Sequence, residues 1–149
     1  PNFVQVVRDI LLETGADPRL LYLELTETSA MANPERARVA VEALRAMGVR
    51  VSLDDFGTGY SSLAYLKAIP FHTIKVDGCF VRQHAETNPD WSIVTAVKSL
   101  ADSMGLAMVV EGVEDEAQLS KLRQLGCTVG QGYLFNRPLA EADIARTLN

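Results

Sequence analysis

The chain has 149 residues, 48% of them apolar and 22% charged, the balance of a globular protein able to bury a core. A net charge of −5 argues against a broad basic surface for polymeric nucleic acid, and no apolar run approaches bilayer length, so no membrane contact is expected. Cys79 and Cys127 lack C-x-x-C or histidine spacing, which supports neither a disulfide framework nor a zinc site and fits reduced thiols in a cytoplasmic protein. The acidic balance leaves room for a small phosphodiester, provided divalent metals sit between the two sets of negative charge.

The first residues, Pro1-Asn2-Phe3-Val4-Gln5, carry no initiator Met and no signal-like stretch, so the chain is expected to begin inside a longer protein. Phe3 to Thr14 has helical apolar spacing and stops at Gly15. Leu20 to Leu25 reads as a strand. Asn33-Pro34-Glu35 is a cap followed by proline and opens a helix to Met47. Val49 to Leu53 reads as a strand, Asp54 to Ser62 as a loop, and a short helix runs through Lys67. Thr73 to Asp77 reads as a strand, Trp91 to Met104 as a helix, Leu106 to Val110 as a strand and Asp115 to Leu125 as a helix. Thr128 to Tyr133 closes the series of strands, and a last helix is expected after Pro138.

About five apolar strands, each followed by a helix or helical turn, predict a parallel sheet covered on both faces. An open doubly wound sheet and part of a (β/α)8 barrel both satisfy that alternation. Glu24, Asp54, Asp55, Lys75, Glu111 and Gln131 fall at or near the ends of successive strands, which would bring all six to one rim. Recruitment from every strand favours the barrel, because an open sheet concentrates its ligand at a switch point.

Three carboxylates, Glu24, Asp54 and Asp55, would repel one another at an apolar rim unless cations neutralise them. Hard oxygen ligands suit Mg²⁺ or Mn²⁺, and two such ions are a common device for phosphodiester hydrolysis. The plain alternative is that Asp54 and Asp55 merely open the glycine-containing βα connection Gly57-Thr58-Gly59. Lys75, flanked by Ile74 and Val76, would hold an attacking water or a phosphate, or else form a structural ion pair. Glu111 could be a general base or a ligand to a second metal, while Glu114 fits the acidic first turn of the following helix equally well. Gln131, between Gly130 and Gly132, could orient a water or a carboxylate, or be a loop residue without a role. His72 and His84 have no ligand-spaced partners.

Five segments in order carry a resemblance: Leu23-Glu24-Leu25-Thr26-Glu27, Asp54-Asp55-Phe56-Gly57-Thr58-Gly59, Ile74-Lys75-Val76-Asp77, Glu111-Gly112-Val113-Glu114 and Gly130-Gln131-Gly132-Tyr133. Their sequence and mutual spacing resemble those of the EAL domain family, whose fold is a modified TIM-like (β/α)8 barrel. The resemblance implies hydrolysis of cyclic di-GMP to linear pGpG with Mg²⁺ or Mn²⁺ in a two-metal site. It implies that Glu24 and Asp54 hold a first metal, that Asp54 bridges to a second, and that Asp55 binds that second ion. Lys75 would contact the catalytic water, Glu111 would act as base or second-metal ligand, and Gln131 would order the network. Glu27 would brace the Gly57-Thr58-Gly59 loop, which in the family couples the metal site to a homodimer face beginning near Ser61. The Glu-Ala-Leu segment and a metal-binding Asn of the family's N-terminal strands are absent, so residues 1–149 are expected to be a partial EAL domain, about the last five βα units, inactive alone. A non-catalytic EAL-like receptor or dimerisation module, and an unrelated (β/α) metal-dependent hydrolase, are the competing readings.

Overall fold

All five strands form and pair in parallel in chain order, β1-β2-β3-β4-β5, in a computed structural model that describes residues 2–58, 63–82, 89–140 and 143–144. The strands are β1 (Tyr22–Thr26), β2 (Arg50–Phe56), β3 (Thr73–Val76), β4 (Ala107–Val110) and β5 (Val129–Gly130). The helices are α1 (Phe3–Thr14), α2 (Glu27–Ala32), α3 (Pro34–Ala46), α4 (Leu63–Ala68), α5 (Trp91–Met104) and α6 (Glu116–Gln124). Sequential order without a reversal is the arc of a barrel; a doubly wound sheet would turn back at a switch point.

The sheet's outer face and the helices share the core. Val51, Leu53, Ile74, Val76 and Val110 are each at most 2% exposed, and each contributes on the order of 2 kcal/mol through the area it removes from water. Helix α3 starts where Asn33 accepts from the Arg36 amide and Pro34 needs no donor, and it buries Ala37, Val41 and Leu44. Helix α5 starts at Asp90, ends at the left-handed Gly105 and turns Val94, Val97 and Ala101 onto β3 and β4. No helix among the described residues is long and apolar enough to cross a membrane.

Four local differences from the sequence reading matter for the site. Strand β1 begins at Tyr22 because Pro18–Leu20 forms a single 3₁₀ turn capped by Asp17. Strand β2 runs on to Phe56, which is buried and pairs with Val76 across a register shift, so Asp54 and Asp55 lie within the strand and not in a loop. Helix α2 follows β1 directly, with Thr26 as its cap. Strand β5 stops at Gly130, well short of Tyr133. Of the helix expected after Pro138, residues 141–142 and 145–149 lie outside the described residues.

Candidate active site

Strand register alone places the polar residues on one face. Glu24 pairs with Ser52, Ser52 with Thr73, and Lys75 with Val109. Side chains alternate across a strand, so Asp54 stands two residues above Ser52 on the same face, and Glu111 two above Val109. All therefore project into the interior of the arc, toward the C-terminal ends of the strands.

Lys75 is the centre of this face. It is 6% exposed, and its Nζ lies 2.6 Å from Glu24 Oε1, 2.6 Å from Glu111 Oε1 and 3.1 Å from Asp54 Oδ1. Burial opposes the charged form, but Glu111, Glu24 and Asp54 together outweigh it and hold the ammonium's pKa above the ordinary lysine value. A buried lysine of this kind is tolerated because its charge is paired with three surrounding carboxylates. The compensation is one-sided: Glu24, Asp54, Asp55 and Glu111 bring four negative charges against one positive charge.

Carboxylate oxygens of Asp54, Asp55 and Glu111 all lie within 4.8 Å of one another. Asp54 Oδ1 is buried and, although close to the ammonium, has no aligned hydrogen-bond donor. Excess negative charge, hard oxygen donors and an unsatisfied buried lone pair all fit a divalent cation. Glu24 stands outside this trio, half exposed, and engages Lys75 instead. Asp55 holds its place at φ 55°, the left-handed region that a non-glycine residue enters at a cost. Burial first, then the neighbouring carboxylates of Asp54 and Asp77, push its carboxyl above the ordinary aspartate range.

The loop after β2 is tied back to this cluster. Glu27, 2% exposed at the start of α2, accepts from the Gly57 amide at 3.0 Å. The Thr58 hydroxyl donates to the Asp55 carbonyl at 2.9 Å. Gly59, Tyr60, Ser61 and Ser62, which include the last loop residue and the expected start of the dimer face, lie outside the described residues.

Gln131 sits where β5 ends, its amide donating to Val110 and its carbonyl accepting from Val113. Gly132 explains why the chain turns there. A Cβ at Gly132 would stand 2.1 Å from the Val113 carbonyl oxygen and 2.4 Å from its nitrogen, so only glycine lets the two backbones meet. Glu114 does not join the carboxylate cluster; its Oε1 pairs with Arg82 Nε at 3.3 Å. Arg82 and the buried Gln118 contact the segment that follows Glu111, and sequence reading gave them no role. The signal for Gln118 was available in the Asp115-x-x-Gln118 spacing of a capping box, which the structure forms in full.

The bifunctional diguanylate cyclase/cyclic di-GMP phosphodiesterase MucR of Pseudomonas aeruginosa is 46% identical over 138 residues, 93% of this chain and 20% of that protein. A solved MucR phosphodiesterase–c-di-GMP complex matches with a TM-score of 0.89 and 44% identity, over 95% of this chain and 57% of that one. The manganese/cyclic di-GMP complex of Klebsiella pneumoniae BlrP1 matches with a TM-score of 0.81 and 35% identity, over 93% of this chain and 35% of that one. The chain spans about one fifth of the length of MucR and about one third of the length of the cyclic di-GMP phosphodiesterase RocR of Pseudomonas aeruginosa. Its parallel arc is thus part of an EAL-type TIM-like barrel. A family model for the EAL domain matches residues 1–138, and with a backbone that follows MucR this closely the chain belongs to the EAL domain family.

Proposed function

We propose that the protein hydrolyses cyclic di-GMP to linear pGpG with Mg²⁺ or Mn²⁺, and that residues 1–149 are the C-terminal part of its catalytic domain. The observation that carries the reading is the buried Lys75 ammonium at the centre of an acidic cluster it cannot neutralise alone. MucR's phosphodiesterase name and the ligands of the MucR and BlrP1 complexes support it.

In this reading Glu24 and Asp54 would hold a first cation, and Asp54 and Asp55 a second. Divalent cations, when bound, supply positive charge against the phosphodiester and make water a better nucleophile. The chain's own residues do the rest. Lys75, kept protonated by its carboxylates, donates to the attacking water or to a phosphate oxygen. Glu111 takes the proton from that water or completes the second cation's ligand set, and Gln131 orders the same network. One ring P–O bond breaks as the water oxygen bonds to phosphorus, and the released alkoxide takes up the proton that the water gave up. Glu27 accepts from the Gly57 amide and the Thr58 hydroxyl donates to the Asp55 carbonyl, a brace that supports Asp55 in its left-handed conformation. Leu63 and Tyr65, exposed on α4, favour a homodimer face beside this loop, and the free thiols of Cys79 and Cys127 fit a cytoplasmic setting.

The test is incubation with cyclic di-GMP and Mg²⁺ or Mn²⁺, reading pGpG by chromatography, for residues 1–149 beside an N-terminally extended protein. Turnover by the extended protein alone supports a catalytic domain of which this chain is an incomplete part. Binding of the dinucleotide without turnover by either would replace this reading with that of a receptor.

A further inference from the structure

Two turns, one after β3 and one after β4, are locked together by side chains outside the acidic cluster. Gln118 is 7% exposed and bonded at both ends. Its Oε1 accepts from the Glu114 amide at 2.6 Å and the Asp115 amide at 3.2 Å. Its Nε2 crosses to the other turn and donates to the Val81 carbonyl at 3.0 Å. Its own amide donates to Asp115 Oδ1 at 2.8 Å, which fixes it at the start of α6.

A second tie lies beside the first. Arg82, adjacent to Val81, extends over the backbone of the β4 turn and pairs with Glu114. The contact is close: a Cβ on Gly112 would meet Arg82 Nε at 2.7 Å and the Gly78 Cα at 2.8 Å, and Gly112 is held at φ 69°. Glu111 is therefore fixed on both sides. Its amide donates to the Val76 carbonyl at 3.0 Å, and the residues after it are clasped to the turn that follows Lys75's strand. A carboxylate just past a short strand needs such support, because misplacing a reacting group by about 1 Å costs on the order of 10²-fold in rate.

We infer that Gln118 is a positioning residue, assisted by Arg82, that locks the β4 turn to the β3 turn and so sets Glu111 opposite Lys75. It touches neither substrate nor cation and acts through the backbone that carries Glu111. The inference rests on the proposed phosphodiesterase reading for its kinetic readout only.

The experiment compares Gln118→Met and Arg82→Ala with the unsubstituted full-length protein. Gln118→Met keeps the side-chain volume and removes every hydrogen bond the amide group makes. Turnover per folded molecule should fall about 10–100-fold with KM within about threefold, and Mn²⁺ affinity measured by electron paramagnetic resonance should weaken about tenfold. A merely structural role would lower the folded fraction and leave turnover per folded molecule alone. Turnover and Mn²⁺ affinity both within twofold of the unsubstituted protein would overturn the inference. If Gln118→Met fails to fold, Arg82→Ala, at a half-exposed position, decides by the same measures. If the unsubstituted protein does not cleave cyclic di-GMP, the phosphodiesterase reading falls; the Mn²⁺ titration still judges the clasp, weaker binding supporting it and unchanged binding overturning it.

Discussion

Lys75 Nζ lies 2.6 Å from Glu111 Oε1, a contact that joins β3 to the residue just beyond β4. The same ammonium reaches back to Glu24 beyond β2, so one cation spans the inner face of four consecutive strands. Structure and proposed chemistry thus draw on the same charge.

Replacing that charge should affect both. Lys75→Met leaves the acidic cluster without its internal cation, and breaking a buried ion pair costs about 3 kcal/mol, measured by urea unfolding without metal. Turnover of cyclic di-GMP should fall about 10²–10³-fold even when metal restores the fold. Activity within tenfold of the unsubstituted protein would remove Lys75 from the chemistry. The raised pKa fixes the sign of the pH effect: the ammonium's contribution is complete below the ordinary value of 10.5 and is lost only as pH climbs through the higher folded value.

Gly132 supports the site by having no side chain. Gly132→Ala would drive a methyl into the Val113 backbone, which is hydrogen-bonded to Gln131 and Leu134 and cannot yield cheaply. The expected loss is about 3 kcal/mol in unfolding free energy, the upper range for overpacking. A variant as stable as the unsubstituted protein would mean that the β5 turn relaxes freely.

Much of this was readable in advance because parallel strands buried on both faces appear as apolar runs, and a lysine or carboxylate interrupting one is conspicuous. Lys75 between Ile74 and Val76 is such an interruption, and the cluster formed around it. What escaped reading has physical causes. Asp is a poor strand former, so Asp54 and Asp55 look like loop residues, yet pairing of Phe56 with Val76 carries the strand past them. Helix α2 is six residues long, too short to show a helical period, and its cap Thr26 is also the last residue of β1. The clasp through Gln118 depends on Val81, 37 positions away, and no local pattern reports that distance.

His72 predicts an acid-side change. Its Nδ1 accepts from the Val51 amide at 3.1 Å, which requires the neutral ring. Burial, then the charges of Arg45 and Arg50, hold its pKa below the ordinary 6.5. The unfolded chain therefore binds the proton first, and stability falls as pH drops below 6.5 toward the folded value. In a urea series across that range His72→Gln should flatten the slope. An unchanged slope would show that carboxylates alone govern the acid limit.

Asp55 separates the cost of assembling the acidic cluster from its use. Its raised pKa means that, near neutral pH, the folded state penalises the charged form relative to the unfolded chain. Asp55→Asn removes that charge, and Asn tolerates the left-handed backbone that Asp55 adopts at φ 55°. Without metal, the variant should therefore unfold at a higher temperature than the unsubstituted protein. With Mn²⁺ the order should reverse, because a cation bound only by the folded state stabilises it by about 2.7 kcal/mol at a hundredfold excess over Kd. Most of that gain should vanish in the variant, and chelation by EDTA should remove it from the unsubstituted protein together with turnover. Equal Mn²⁺ stabilisation of the two proteins would exclude Asp55 as a ligand and leave Asp54 and Glu111 as the remaining members of the trio.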